Sequence, residues 1–213
     1  LLSNNEIHCI AEDNNNHLWI GTYEGLNVMD KTTGRISRID CEGLRNSLIE
    51  RILITRKNRI FVATDRGLYQ YHADKDTAFL YRRETTEGVM PQTAIKSLIE
   101  DSYGYIWIGT WSQGFFRYNP ESDKFFSYPA IDARNSAHVI FEDSKRRIWI
   151  GTWNEGLYLL EKPEDLATGK WKNFRHNLVD KRSLSDNIVY DIAEDINTGS
   201  IWVGTRSGLS ILP

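Results

Sequence analysis

The chain has 213 residues, 40% of them hydrophobic and 26% charged, a balance that sets it apart from sequences too polar to fold. A net charge of −3 gives no electrostatic ground for nucleic-acid binding. No apolar run approaches the length of a membrane span, so direct membrane insertion is not expected, and an aromatic content of 12% with seven tryptophans leans toward β structure.

In chain order, the same sequence of elements is met five times. Each begins with a short apolar strand, closing in all but the second on an acidic pair: Ile7–Asp13, Glu50–Arg56, Ile95–Asp101, Ala137–Asp143 and Val189–Asp195. A polar turn follows, such as Asn14-Asn15-Asn16-His17 or Ser102-Tyr103-Gly104-Tyr105, of the kind that joins hairpin strands. The second strand carries the loudest signal: Leu18-Trp19-Ile20-Gly21-Thr22, the weaker copy Ile60-Phe61-Val62-Ala63-Thr64, then Ile106–Thr110, Ile148–Thr152 and Ile201–Thr205. A third strand opens on Gly25, Gly67, Gly114, Gly156 or Gly208, and a weaker fourth is read at Arg35–Ile39, Ala78–Tyr81, Lys124–Tyr128 and Lys170–Phe174.

The central aromatics, at positions 19, 61, 107, 149 and 202, are 42, 46, 42 and 53 residues apart. Four antiparallel strands repeated at that interval are β-propeller blades. No segment sustains a 3.6-residue apolar period, so no helix is expected. The predicted fold is an all-β propeller of four-stranded blades, at about 5–40, 49–82, 94–129, 136–175 and, incomplete, 187–213. Because blades bury their faces on one another, the chain is expected to be an arc of a larger, seven-blade-type propeller with exposed faces at both ends. Cys9 and Cys41 fall on the inner and outer sides of one blade. Strands about 4.8 Å apart keep such positions beyond disulfide reach, so two isolated thiols are expected.

At these residues the sequence resembles the two-component regulator propeller repeat, whose pattern runs I-x-x-I-x-E-D, a turn, [IL]-W-[IV]-G-T and then G-L. The first copy reads Ile7-His8-Cys9-Ile10-Ala11-Glu12-Asp13, then Leu18–Thr22 and Gly25-Leu26. The third, fourth and fifth copies match almost as well. In the second, Thr55-Arg56 is read in place of Glu-Asp. The resemblance implies the extracytoplasmic, periplasmic sensor region of a hybrid two-component histidine kinase, of a kind common in gut bacteria that respond to glycans. It also implies a sister propeller, a β-sandwich, a membrane helix, and kinase and regulator modules in the parent chain.

A residue present in every blade serves the blade. The repeated Asp is expected to organise its own turn through side-chain to main-chain bonds, the tryptophans to wedge between blades, and the glycine after them to allow close approach by a neighbour. Binding residues are sought where the copies share a position but not a residue. Directly after each Thr of the second strand stand Tyr23, Asp65, Trp111, Trp153 and Arg206. Wet aromatic faces suit sugar rings or a protein partner, though such residues also cap their own blades. A second column, near the start of the innermost strand, is read as His8, Arg51, Lys96, His138 and Tyr190, above a core layer of Ile10, Leu53, Leu98, Ile140 and Ile192. A basic and aromatic ring there suits a carboxylated or sulfated sugar through charge-assisted hydrogen bonds, or simply solvates the channel mouth. The long connections Arg82–Ala94 and His176–Asn187 are further candidates for partner contacts.

Enzymatic signals are thin. His8, His17, His72, His138 and His176 are scattered, no metal-ligand spacing or phosphate-binding loop occurs, and no cofactor is expected. The leading expectation is a non-catalytic sensor that binds an oligosaccharide or presents a homodimer surface. A propeller lyase nucleated on His8, His138 and Tyr190, and a protein-docking scaffold, are the alternatives.

Overall fold

The computed structural model describes residues 1–81, 87–88, 93–128, 136–162 and 171–213. Its described residues form five successive sheets and no helix. The first contains β1 (Ile7–Glu12), β2 (His17–Thr22), β3 (Gly25–Asp30) and β4 (Ile36–Arg38). The second contains β5 (Ile49–Ile54), β6 (Ile60–Thr64), β7 (Gly67–His72) and β8 (Thr77–Leu80). After the short β9 (Glu87–Gly88), the third runs through β10 (Ile95–Glu100), β11 (Ile106–Thr110), β12 (Phe115–Asn119) and β13 (Lys124–Ser127), and β9 pairs in parallel on its outer edge. The fourth holds β14 (Ala137–Glu142), β15 (Ile148–Thr152), β16 (Leu157–Leu160) and β17 (Trp171–Phe174); the fifth holds β18 (Val189–Asp195), β19 (Ser200–Thr205) and β20 (Gly208–Leu212). Apart from β9, neighbouring strands are antiparallel and in sequence order. Lys170 and the connection from Arg82 to Gln92, apart from β9, lie outside the described residues.

The first strands of successive sheets lie side by side, and the second strand of each sheet faces the first strand of the next. That is the blade arrangement of a propeller. Four apolar clusters, one per junction, hold it together. Trp19 packs with Leu44, Ile49 and Tyr69 between blades 1 and 2, and Phe61 with Ile95, Phe116 and Tyr118 between blades 2 and 3. Trp107 packs with Ala137, Ile140 and Ile150 at the third junction, and Trp149 with Val189, Ile192 and Ile201 at the fourth. The central aromatics are thus wedges, as their repetition predicts. Where an end blade has no such neighbour the same positions are open: Trp202 is 38% exposed, and Ile10 of the first strand is 59% exposed.

The glycine of the second strand is dictated by this contact. A Cβ on Gly109 would lie 2.4 Å from the carbonyl oxygen of Ala137 in the next blade, closer than any real contact. On Gly204 of the last blade the nearest atom would be 3.7 Å away.

The acidic pair divides its labour. Asp101 Oδ1 accepts the main-chain N–H groups of Tyr103 and Tyr105, fixing its own turn, while Oδ2 accepts the indole N–H of Trp107 at 2.8 Å. Asp13 and Asp143 repeat the arrangement with Trp19 and Trp149. In blade 5, where the tryptophan is half-open, Asp195 Oδ2 takes the Thr198 hydroxyl. In blades 3 to 5 the glutamate beside the Asp reaches into the preceding blade, whereas Glu12 of blade 1 meets Lys31 of its own blade. Glu100 accepts the N–H of Arg56, Glu142 both the N–H and hydroxyl of Ser102, and Glu194 both groups of Ser144.

Blade 2 requires a correction. Ile49 pairs with Thr64 as Ile7 pairs with Thr22, so Ile54-Thr55, not Thr55-Arg56, replace the Glu-Asp pair. The Thr55 hydroxyl accepts the Arg59 N–H and takes over part of the aspartate's role. With an isoleucine in the clasp position, the blade 1 turn is met instead by Asn58, whose side-chain oxygen lies 3.5 Å from the Asn14 nitrogen. Cys9 and Cys41 are free, and burial pushes the Cys9 thiol up to about 11 against the attraction of Arg51.

Candidate functional site

Two local devices, repeated in all five blades, build one rim of the propeller. The first is a β-bulge near the start of each innermost strand. The register of β1 against β2 slips between Ile7 and Cys9, and equivalent slips leave Glu50, Lys96, His138 and Tyr190 as the extra residues of their strands. A bulge re-aims the side chain it carries. The second is the threonine ending each second strand. Thr110 Oγ1 donates to the Gly114 carbonyl and accepts the Gln113 N–H, and Thr22, Thr64, Thr152 and Thr205 close their turns through the same glycine carbonyl. The next residue is then fixed by its main chain. The N–H groups of Tyr23, Asp65, Trp111, Trp153 and Arg206 each donate to the carbonyl of the residue immediately before their blade's first strand. The two columns therefore meet at one rim.

The bulge column differs from expectation in one place. Glu50, not Arg51, occupies it in blade 2, and Ile52, not Leu53, holds the layer beneath. Arg51 stands one residue on, exposed, its guanidinium donating to the Glu50 carbonyl at 2.7 Å. The signal was present: eleven residues separate His8 from Trp19, Lys96 from Trp107 and His138 from Trp149, and the same interval before Phe61 lands on Glu50.

Across blades 2 to 5 these residues form one continuous group. Glu50 is buried and ion-paired with Lys96. The Lys96 ammonium lies 5.6 Å from the ring centre of Trp111, which lies 5.5 Å from that of Trp153. Trp153 meets His138 at 5.6 Å and Tyr190 at 6.0 Å, and those two meet each other at 6.0 Å. Trp111 and Tyr190 are more than 40% exposed, so the group is a surface and not a core. His138 Nδ1 is buried without a hydrogen-bond partner, and burial, with Arg51 and Lys96 adding positive potential, holds the imidazole pKa below its ordinary value. The ring is therefore neutral at pH 7, with a nitrogen to offer. His8 and Tyr23, 6.4 Å apart, form a separate pair on blade 1. Arg206 stands apart beside Asp186, whose carboxyl is held below its usual range chiefly by the Ser207 hydroxyl and the Ile188 N–H.

The opposite face has clefts of its own. One of about 380 Å³ lies among Arg56, Arg59, Tyr103, Tyr105 and Pro120. Its charges are engaged in stitching blades together, with Lys57 2.6 Å from Glu121 and the Arg56 guanidinium donating to Ser102 and Asp101 carbonyls. Among the described residues no group of three or more His, Cys, Asp or Glu is placed to hold a metal ion. None of the described residues belongs to a helix long and apolar enough to cross a membrane.

An array of successive antiparallel blades, wedged by tryptophan and carrying variable side chains on one rim, is the architecture of a β-propeller. Four stretches, residues 1–24, 90–112, 133–154 and 183–207, match the family described as two component regulator propeller. The chain is similar to the extracellular domain of the putative hybrid two component system BT4673 from B. thetaiotaomicron, at 26% identity and a TM-score of 0.82 over 97% of this chain and 27% of that one. It is also similar to "Histidine kinase P4" of Formosa agariphila, 28% identical over 140 residues that make up 62% of this chain and 10% of that protein. Likeness to the streptogramin B lyase structure, at 13% identity and a TM-score of 0.68 over 99% of this chain and 70% of that one, concerns the fold alone. The chain thus spans about a quarter of one relative and a tenth of the other.

Proposed function

We propose that this chain is a non-catalytic, ligand-sensing propeller of a hybrid two-component system, that it recognises an oligosaccharide at the Lys96–Tyr190 rim, and that it relays occupancy to a histidine kinase. One observation carries this reading. Trp111 and Trp153, from adjacent blades, form a partly exposed aromatic surface flanked by Lys96 on one side and His138 on the other. Apolar sugar faces stack on such rings while hydroxyls take the flanking polar groups. Relay would proceed by a shift between arrangements of rigid modules, which requires the ligand to favour one of them.

The kinship with an extracellular domain and with a histidine kinase supports a periplasmic location. The open faces at Ile10 and Trp202 carry the chemistry that internal junctions bury, which supports further blades of the parent chain, and beyond them a sister propeller, as their neighbours. A homodimer remains a second candidate for the relay surface.

The test is calorimetry of the full-length protein against a glycan panel, with Trp111→Ala and Trp153→Ala beside wild type. Each variant is expected to weaken sugar binding at least tenfold. Equal binding by wild type and variants sinks the site as drawn. Turnover of a bound sugar points instead to a lyase or hydrolase, and affinity for a protein alone points to a docking scaffold.

A further inference from the structure

The rim contains a charge arrangement that sets the class of sugar it can hold, an inference that rests on the glycan-binding reading above. The Lys96 ammonium lies 5.6 Å from the ring centre of Trp111 and is paired with the carboxylate of Glu50. Both are largely withdrawn from water, with side-chain exposures of 21% for Lys96 and 11% for Glu50. His138 next along is neutral at pH 7 and its Nδ1 is buried and unpartnered. Arg51 points from the neighbouring strand position and is exposed to solvent.

A carboxylated or sulfated sugar seated on Trp111 would meet this pair in one of two ways. It would displace Glu50 from Lys96, leaving a buried carboxylate without its counter-charge, or it would sit beside that carboxylate and be repelled. Both outcomes are penalised in a partly desolvated site, where an unpaired buried charge is costly. A neutral sugar meets neither penalty. Adjacent hydroxyls each donate and accept, so one can accept from the lysine while its neighbour donates to the carboxylate, with the ion pair intact. The unpartnered His138 nitrogen supplies a further contact at the far edge of the tryptophan pair.

We propose that the rim selects neutral oligosaccharides and excludes acidic ones, and that Glu50 is the residue that enforces the exclusion. The bulge at Glu50 aims it at the lysine of the next blade, so selectivity is written across a blade junction and not within one blade.

The experiment compares neutral probes (cellotetraose, maltotetraose and arabinotetraose) with acidic ones (tetragalacturonate and a chondroitin sulfate tetrasaccharide), by calorimetry and tryptophan emission on the full-length protein. Wild type is expected to bind at least one neutral probe at least tenfold more tightly than either acidic probe. Glu50→Gln frees Lys96 and is expected to raise acidic-probe affinity at least tenfold, the scale of a hydrogen bond to a charged group. The double variant Glu50→Gln, Lys96→Gln removes both charges and is expected to show no such gain, which separates an electrostatic filter from a general loosening of the rim. Should Glu50→Gln fail to fold, the wild-type preference and the double variant still decide the matter. A wild type that prefers an acidic probe overturns this inference and leaves the rim reading standing. Binding of no probe, or binding unaffected by Trp111→Ala, overturns the rim reading and this inference together.

Discussion

Glu142 in the fourth blade accepts two hydrogen bonds from Ser102 in the third, from its main-chain N–H and from its hydroxyl, each at 2.7 Å. The bonds run across a junction and not within a sheet, and equivalents stand at Glu100 and Glu194. The carboxylate therefore acts as a clasp between rigid bodies. Substituting Glu142→Gln weakens two charge-assisted bonds, and about 1 kcal/mol of stability should be lost. A double-mutant cycle with Ser102→Ala checks it. Additive effects would show that the pair does not interact.

Position in the array, not residue type, should decide what a tryptophan is worth. Trp107 is fully buried and hydrogen-bonded to Asp101, whereas Trp202 is 38% exposed and its blade's aspartate is engaged elsewhere. Trp107→Ala should cost roughly 3–5 kcal/mol, and Trp202→Ala about 1 kcal/mol or less. Urea denaturation of the two variants tests this, and equal losses would contradict the wedge assignment.

The repeated glycine should show the same asymmetry. Gly109→Ala places a methyl against the Ala137 carbonyl and should destabilise by about 1–3 kcal/mol. Gly204→Ala meets nothing nearer than 3.7 Å and should be close to neutral in the chain as it stands. Melting temperatures suffice to compare them.

The turn aspartate of blade 1, Asp13, makes stability depend on acid. Burial alone would raise the pKa of Asp13, but hydrogen bonds from Trp19, His17 and Asn15 together outweigh it and hold the folded value below the ordinary 3.8. A carboxyl with a depressed folded pKa stabilises fully above its unfolded pKa and loses that contribution as pH falls through the folded one. Stability should therefore decline as pH drops below about 4. Replacing Asp13→Asn should flatten part of that decline, seen as a shrinking difference between wild type and variant as pH is lowered from 6 to 2. A constant difference would rule out this role for the carboxylate.

Much of this was legible in the sequence, because a motif repeated five times identifies both its period and its packing role. The Trp–Asp hydrogen bond was not, since six residues of separation say nothing about which side of a twisted hairpin each group occupies. Nor was the glutamate clasp, whose partner lies some 40–50 residues earlier and is reached only once blades are stacked. Blade 2 hid its register for a definite reason. With Ile54 and Thr55 in place of Glu and Asp, the acidic marker is gone, and Glu50 was read one place away from the rim it occupies. The variable residues Trp111 and Trp153 were legible as positions, but their contact depends on the angle between two blades. That angle is set by the wedge residues beneath.

The clasp has a consequence for how such arrays change over generations. Glu100, Glu142 and Glu194 each belong to the later of the two blades they join, and the groups they grip belong to the turn that every copy carries. A gene segment encoding one repeat therefore brings with it both the hook for its predecessor and the eye for its successor. Copying or deleting a whole repeat with its glutamate leaves a matched pair at the new seam, whereas the seam at Ile54 is fastened differently, through Asn58. Rim side chains ride on the same unit, so a duplicated blade delivers a spare position at the mouth of the channel that is free to diverge.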